Sequence, residues 1–290
     1  MAFKTLFQTY YRLTKPGIIY GNVLTATGGF LLASRGHIDG WLLWTTLAGT
    51  SLVIASGCVF NNYIDRNIDK KMARTKKRAL ANGLITPVAA LTYAAVLGVA
   101  GFAILAFFTN ALVVSIGVVG YVDYIMLYGI SKRRSTLGTI VGSISGATPV
   151  LAGYCAVAGE LDAGAIIIFL IMVLWQMPHF YAIAMYRFKD YAAVPIPVMP
   201  VKKGMFVTKV NILVFIIAYT VANAALTVYG YAGYAYMLAM STYGLAWLWL
   251  GAQGLRAGTD DKRWARKMFF FSLVGILLFT FMLSVDALLP

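Results

Sequence analysis

Three oxygen-bearing side chains recur every four residues at the end of a long apolar segment: Asn61, Asp65 and Asp69. On an α-helix this spacing places them on one face, about 6 Å apart along the axis. Carboxylates near membrane depth are costly unless a cation neutralises them. Mg²⁺ prefers oxygen ligands and commonly completes its shell with substrate phosphates. The pattern therefore indicates a metal–diphosphate site.

The aspartates also have a simpler interpretation, in which they form ion pairs with Arg66, Lys70 and Arg74 on a solvated loop. This explains Asp69 adequately. It explains less well why the same stripe extends back into the apolar segment as far as Asn61. The metal–diphosphate interpretation is therefore favoured over the ion pairs.

The chain that positions this motif is strongly apolar, since 60% of its 290 residues are hydrophobic and only 12% are charged. Its apolar runs approach the ~20 residues that a helix needs to cross a bilayer, and they lack the alternation of barrel strands. The composition predicts one all-α membrane domain over 1–290 with nine spans. These are 17–34, 41–63, 87–108, 111–130, 137–158, 163–186, 207–229, 231–251 and 267–288.

The positive charge follows the topology of these spans. With nine spans, all of the 24 Lys and Arg residues except Arg35 fall on one side of the membrane. The positive-inside rule makes that side cytoplasmic, together with the N-terminus. The net charge of +14 is therefore a topology signal, and we expect no nucleic-acid partner. Cys58 and Cys155 fall near opposite sides of the bilayer, so no disulfide is expected.

Several sequence stretches resemble the UbiA superfamily of intramembrane prenyltransferases, and specifically its heme-handling branch. The first motif of that superfamily is N-x-x-x-D-x-x-x-D at the inner end of the second helix, as at Asn61, Asp65 and Asp69. The resemblance covers essentially the whole chain. The stretches that carry it are 13–17, 61–78, 175–181, 186–191, 196–201 and 264–267.

The resemblance implies that the farnesyl group of farnesyl diphosphate is joined to a vinyl group of heme b, with water addition and release of diphosphate. Asn61, Asp65 and Asp69 would then bind Mg²⁺ on the diphosphate. The residues expected to pair with diphosphate oxygens are Lys70, Arg74, Arg78 and Lys189. Tyr181 and Tyr186 are candidates for contact with heme or the prenyl chain.

The second family motif is usually another D-x-x-x-D, whereas this chain has Tyr186-x-x-x-Asp190. The heme-handling branch shows the same departure, which favours that branch and leaves the number of Mg²⁺ ions open. Asp190 is expected to be a second metal or diphosphate contact. Its alternative is an ion pair with Lys189 or Arg187.

His179 lies inside the sixth predicted span, directly after Pro178. A histidine there can simply form a hydrogen bond with a neighbouring helix. Ionisable groups within the membrane nevertheless mark functional sites, and imidazole is a common iron ligand. We expect His179 to face heme, while axial ligation stays open. Asp123, within the fourth span, has no explanation from the sequence.

The predicted architecture is a ring of nine helices around a central cavity that opens to the cytoplasm, with cap loops 64–86 and 187–206. The implied location is the bacterial inner membrane, with terminal-oxidase biogenesis machinery as a partner. Two rivals remain: a related enzyme that prenylates an aromatic acceptor, and a proton- or ion-coupled transporter. A transporter would more often spread charged residues through the spans, whereas the polar residues here concentrate at the inner ends.

Overall fold

The computed structural model describes residues 3–289, with side chains from residue 6 onward. Residues 1, 2 and 290 of the predicted domain and the side chain of Lys4 lie outside this part of the chain. All regular structure in the described part is helical, which confirms the predicted all-α class.

The α-helices follow one another with short connections. They are α1 (Phe3–Leu13), α2 (Pro16–Ser34), α3 (Gly40–Asp69), α4 (Pro87–Phe108), α5 (Ala111–Val122), α6 (Tyr128–Arg134), α7 (Gly138–Ala158), α8 (Ala163–Tyr186), α9 (Phe188–Ala192), α10 (Met199–Lys203), α11 (Met205–Val228), α12 (Tyr234–Gln253) and α13 (Asp261–Val285). A π-helical turn, Asp123–Leu127, joins α5 to α6, so these two helices form one continuous span.

Each of the nine predicted spans coincides with a long helix of the described chain. Eight of these helical segments are both long and apolar enough to cross a membrane. The ninth, α12, has 20 residues but is less apolar because Tyr, Trp and Gln side chains interrupt it. The predicted set of nine long helices is thus confirmed for the described residues.

Polar side chains fix several of the helix starts. Asp39 accepts hydrogen bonds from the backbone N–H groups of Trp41 and Leu42, which begin α3. Thr86 and Asp162 cap α4 and α8 in the same way. Such caps satisfy backbone donors that have no partner within their own helix.

Helix α3 is longer than the predicted second span, because it continues past residue 63 to Asp69. The first part of the predicted cap loop 64–86 is therefore helical. As a result, Asn61, Asp65 and Asp69 all lie on one unbroken helix. The predicted loop 187–206 likewise contains the two short helices α9 and α10.

Helices α2 and α7 pack with their backbones in contact. A Cβ atom on Gly29 would lie 2.2 Å from the carbonyl oxygen of Val150, and one on Gly153 would lie 2.0 Å from that of Ala26. Small residues allow this close approach. Within lipid no hydrophobic force drives helices together, so the van der Waals contacts of close packing stabilise their association. Helix α7 also contacts α8, where Gln176 Nε2 donates to the Ser143 carbonyl oxygen at 3.0 Å.

Asp123 is buried at the start of the π-turn of the fourth span. Its Oδ2 atom accepts a hydrogen bond from the backbone N–H of Ser145 on α7 at 3.1 Å, while its Oδ1 atom has no partner among the described residues. The backbone N–H of Tyr128 donates to the Asp123 carbonyl oxygen, five residues back. Such π-turns often occur at functional sites.

We predict that Gly153→Ala lowers the thermal unfolding midpoint of the purified protein, because the new methyl group would overlap the Ala26 carbonyl oxygen. Overpacking of this kind costs roughly 1–3 kcal/mol. Gly21→Ala on α2 is the matched control, since no atom lies within 4 Å of its Cβ position. Equal midpoints for the two variants would contradict the close α2–α7 packing.

Candidate functional site

The three motif side chains lie at the end of α3 with different exposure. Asn61 and Asp69 are only 4% and 5% exposed, whereas Asp65 is half-buried. They follow one another at the predicted helical spacing. The structure therefore brings the three sequence-predicted oxygen donors onto one face.

Each carboxylate of the motif is paired with a cation from another segment. Asp65 accepts hydrogen bonds from Lys132 Nζ at 2.6 Å and from Arg133 Nη2 at 3.1 Å. Asp69 accepts one from Arg78 Nη1 at 2.8 Å. These are charge-assisted hydrogen bonds, the stronger kind in proteins.

The neighbouring cations that the simpler interpretation invoked do not bind the aspartates. Arg66 instead stacks over the Tyr63 ring at 4.2 Å and donates to the Tyr63 carbonyl oxygen. Lys70 and Arg74 are exposed and form no ion pair with the described residues. The two aspartates thus form their ion pairs with cations that lie further away in the sequence.

The loop after α3 folds back to bring Arg78 to the motif. The buried hydroxyl of Thr75 donates to the Asp69 carbonyl oxygen at 3.0 Å. Leu80 and Ile85 then anchor the loop in a small apolar cluster with Val59 of α3. The predicted diphosphate contact Arg78 is therefore held beside Asp69.

Lys15, in the connection between α1 and α2, reaches the same site. Its backbone is left-handed, with φ 53° and ψ 65°, which is uncommon for a residue other than glycine. Its Nζ atom donates to Asn61 Oδ1 at 3.1 Å. Burial lowers the pKa of the Lys15 ammonium to about 8. Asn62 donates to the Leu13 carbonyl oxygen at 2.8 Å and so fixes this connection on α3.

Two tyrosines precede Lys132 on the fourth span at four-residue spacing. The rings of Tyr124 and Tyr128 stack with centroids 6.0 Å apart, and Lys132 Nζ lies 5.0 Å from the Tyr128 centroid. A Cβ atom on Gly57 of α3 would lie 3.2 Å from the Tyr124 ring, which places this ring against the motif helix.

Five side chains around this motif were not predicted from the sequence as site residues: Lys15, Tyr124, Tyr128, Lys132 and Arg133. A usable signal was present for three of them. Tyr124, Tyr128 and Lys132 recur every four residues toward the basic end of an apolar span, as the motif residues do on α3.

The site carries more positive than negative charge, since Lys15, Arg78, Lys132 and Arg133 surround only two carboxylates. The described residues contain no group of three or more His, Cys, Asp or Glu side chains able to hold a metal ion alone. The donor set fits Mg²⁺ if a diphosphate supplies the remaining oxygens. Asn61 Nδ2 is buried without a partner, so it can donate to such an oxygen.

His179 belongs to a second polar cluster, between α8 and α13. Its Nδ1 atom lies 2.7 Å from Ser272 Oγ, and Ser272 Oγ donates its own proton to the Phe269 carbonyl oxygen at 2.6 Å. When the Ser272 proton is directed to this carbonyl oxygen, Nδ1 carries the imidazole proton and donates it to Oγ. Neutral imidazole carries one proton, so Nε2 holds a free lone pair. The ring also stacks on Trp175 with centroids 4.8 Å apart.

The remaining predicted contacts are distributed around α8. The Tyr186 ring lies 5.6 Å from that of Phe269, on the His179 side, whereas buried Tyr181 packs against Phe215 of α11. Lys189 is exposed, and half-buried Asp190 forms no ion pair within the described chain. The structure thus groups Tyr186 with His179, while Tyr181 faces another helix.

Comparison of sequences shows extensive similarity to known proteins. Residues 22–274 match the UbiA prenyltransferase family. A Sodalis glossinidius protein named Protoheme IX farnesyltransferase is 52% identical over 98% of this chain and 96% of its own length. A Klebsiella pneumoniae protein of the same name is 53% identical over 98% of this chain and 97% of its own length.

Solved structures share the fold at low sequence identity. One, described as a study of Digeranylgeranylglyceryl phosphate synthase in membranes, gives a TM-score of 0.79 at 19% identity over 97% of this chain and 98% of that one. A UbiA homolog from Archaeoglobus fulgidus bound to GPP and Mg²⁺ gives a TM-score of 0.71 at 13% identity, with 95% and 99% of the two chains covered.

We predict that Asp65→Asn destabilises the protein, because Lys132 and Arg133 lose the carboxylate that balances them. Breaking a largely buried ion pair costs about 3–5 kcal/mol, and partial exposure of Arg133 reduces this to roughly 2–3 kcal/mol. Denaturant unfolding in detergent micelles measures the change.

The matched control for that experiment is Asp260→Asn, which removes an exposed ion pair with Arg263 and retains a side chain that caps α13. Exposed pairs contribute about 0–1 kcal/mol. Similar losses of unfolding free energy in the two variants would show that the Asp65 ion pairs contribute no more than an exposed pair does.

Proposed function

Because the chain belongs to the UbiA prenyltransferase family, we propose that it transfers the farnesyl group of farnesyl diphosphate to a vinyl group of heme b. In this reaction the bond between farnesyl C1 and the diphosphate oxygen breaks, and diphosphate leaves with the electron pair. Farnesyl C1 bonds to the terminal vinyl carbon. The carbon next to the porphyrin ring then takes up water, which loses a proton, and the product is heme o.

The observation that carries the proposal is the surplus of cations around Asn61, Asp65 and Asp69. A diphosphate supplies the negative charge that this cluster lacks. When Mg²⁺ is bound by the three motif residues, it supplies Lewis-acid stabilisation of the departing diphosphate. The names of the close relatives support farnesyl as the donor group and heme as the acceptor.

We assign the basic side chains the task of stabilising charge on the leaving diphosphate. Lys132 and Arg78 are held in place by the aspartates. They can therefore meet the diphosphate with little rearrangement, and preorganised cations of this kind favour ionisation. Lys15 contributes a third cation, which is hydrogen-bonded to Asn61. Exposed Lys70, Arg74 and Lys189 would act at the entrance, and Asp190 would provide a further polar contact there.

The allylic cation formed at C1 needs an aromatic and water-poor surrounding. Tyr128 and Tyr124 lie one and two turns deeper in the span than Lys132, with their rings stacked. The negative face of an aromatic ring attracts a cation. We propose that these rings line the path of the reacting carbon.

We assign His179 to the heme. Ser272 holds its Nδ1–H, which leaves Nε2 able to accept a proton or to bind iron. A ligating histidine is commonly oriented in this way by a second hydrogen bond. Tyr186 and Phe269 extend the same aromatic surface.

The orientation of the protein is part of the proposal. The basic end of the bundle faces the cytoplasm by the positive-inside rule, so the catalytic motif opens to that side of the bacterial inner membrane. The cavity would be capped by residues 70–86 and 187–206. A terminal-oxidase assembly machinery is the expected recipient of the product.

We predict that Asp65→Asn and Asp69→Asn each lower product formation by roughly 100-fold or more, a loss typical for removal of an electrostatic catalytic group. The assay combines purified protein, heme b, farnesyl diphosphate and Mg²⁺, and separates heme o by chromatography. Asp260→Asn, distant from the motif in sequence and at the surface, should retain full activity. Full turnover in both motif variants would refute the diphosphate site.

A parallel reaction, in which an aromatic acid such as 4-hydroxybenzoate replaces heme b, tests the acceptor. Absence of heme o together with prenylation of an aromatic acid would move the chain to another branch of the family. This outcome would leave the role of Asp65 and Asp69 intact, because both branches ionise a prenyl diphosphate.

We predict that His179→Ala abolishes heme o formation while the protein stays folded in the membrane, and that it changes the visible spectrum of added heme b. Ser272→Ala is the matched variant, because it removes the Nδ1 partner and keeps the imidazole. Its loss of activity should be smaller than that of His179→Ala. Normal turnover in His179→Ala would eliminate the heme-facing role.

A further inference from the structure

A groove between α12 and α13 takes no part in the site described above. It is lined by apolar side chains and by three cations from the first turns of α13. The lining residues are Leu250, Arg263, Arg266, Lys267, Phe270, Phe271 and Val274. Within the α13 sequence the cations come first and the apolar residues follow.

The depth of these residues in a bilayer follows from the length of α13. The helix has 25 residues, whereas about 20 suffice to cross the hydrocarbon core. Counted back from Val285, the apolar crossing ends near Arg266, so Arg266 and Lys267 lie at the level of the lipid headgroups. At ~1.5 Å per residue, Phe270 lies roughly 6 Å and Val274 roughly 12 Å deeper.

Two of the three cations are not neutralised by the protein. Arg263 pairs with Asp260 at 3.3 Å, and the carboxylate of Asp261 is taken by Lys209 at 2.5 Å. Arg266 and Lys267 are exposed and have no carboxylate partner in the described part of the chain. The Arg266 guanidinium lies 5.7 Å from the Phe270 ring centroid, directly above the apolar wall.

The groove faces away from the helix bundle. Phe270 and Val274 are 52% and 54% exposed, whereas Phe269 and Ser272 on the other face of α13 contact His179. The groove is therefore accessible to bilayer lipid. It lies on the opposite face of α13 from the candidate heme contacts.

We propose that this groove binds an anionic glycerophospholipid. The lipid phosphate accepts hydrogen bonds from Arg266 and Lys267, and one acyl chain runs along Phe270 and Val274 beside Leu250. The occupant follows from charge complementarity combined with depth, because the ligand must carry negative charge at the headgroup level and an apolar chain below it. Basic pockets between helices on the cytoplasmic side recognise such headgroups.

The test compares lipids that share acyl chains and differ in charge. Delipidated full-length protein is titrated with phosphatidylglycerol or phosphatidylethanolamine, and bound lipid is counted by native mass spectrometry. The wild type should prefer phosphatidylglycerol. Arg266→Gln combined with Lys267→Gln should weaken its binding by roughly 5- to 25-fold, since each basic residue contributes about fivefold at a charged membrane surface.

The matched control is Lys202→Gln combined with Lys203→Gln, which removes two exposed positive charges from α10, outside the groove. It should leave phosphatidylglycerol binding unchanged. A third variant, Val274→Trp, keeps the cations and fills the apolar part of the groove, so it should also weaken binding. Unchanged thermal unfolding midpoints would establish that all three variants are folded.

Three results would overturn the proposal. Equal losses in the two charge variants would show diffuse surface attraction without a built site. Unchanged binding in the Arg266 and Lys267 variant would exclude these residues as the phosphate contacts. Displacement of phosphatidylglycerol by added heme b, one molecule for one, would show instead that the groove binds the carboxylate groups of heme.

Discussion

Two carboxylates at the end of one membrane helix can be buried only if cations reach them, and this requirement organises the structure around α3. Asp65 takes its partners from the end of the fourth span, and Asp69 takes its partner from the loop after α3. Lys15 adds a third connection from the start of α2. Three separate segments thus converge on one helical stripe, because an unpaired charge at this depth would be too costly.

The helical stripe itself was predictable from sequence, since four-residue spacing determines which residues share a helix face. The cations that pair with the carboxylates of this stripe could not be predicted from the sequence. Arg66 directly follows Asp65 and therefore points about 100° away around the helix, where it stacks on Tyr63 instead. Arg74 lies beyond the end of α3. The actual partner Lys132 lies 67 residues from Asp65, and only tertiary packing brings the two together.

Other features needed the structure for different reasons. The π-turn of the fourth span leaves no clear sequence pattern, so Asp123 could not be connected to Ser145 in advance. His179 was recognised as a candidate because a histidine within an apolar span is rare. Which ring nitrogen of His179 carries the proton, however, depends on Ser272 of α13. No sequence motif identifies this small polar residue. A site residue is thus easier to predict than the partner that sets its chemistry.

Under the proposed function, the basic residues of this protein would meet two physical requirements that a sequence cannot separate. Positive loops orient a membrane protein, and positive side chains also neutralise a diphosphate. Lys132 and Arg133 lie at the basic end of the fourth span and bind Asp65. A reaction that releases a highly charged leaving group at the cytoplasmic interface needs cations on the same side that topology already makes basic. The charge bias and the active site are therefore expected to coincide at one end of the bundle.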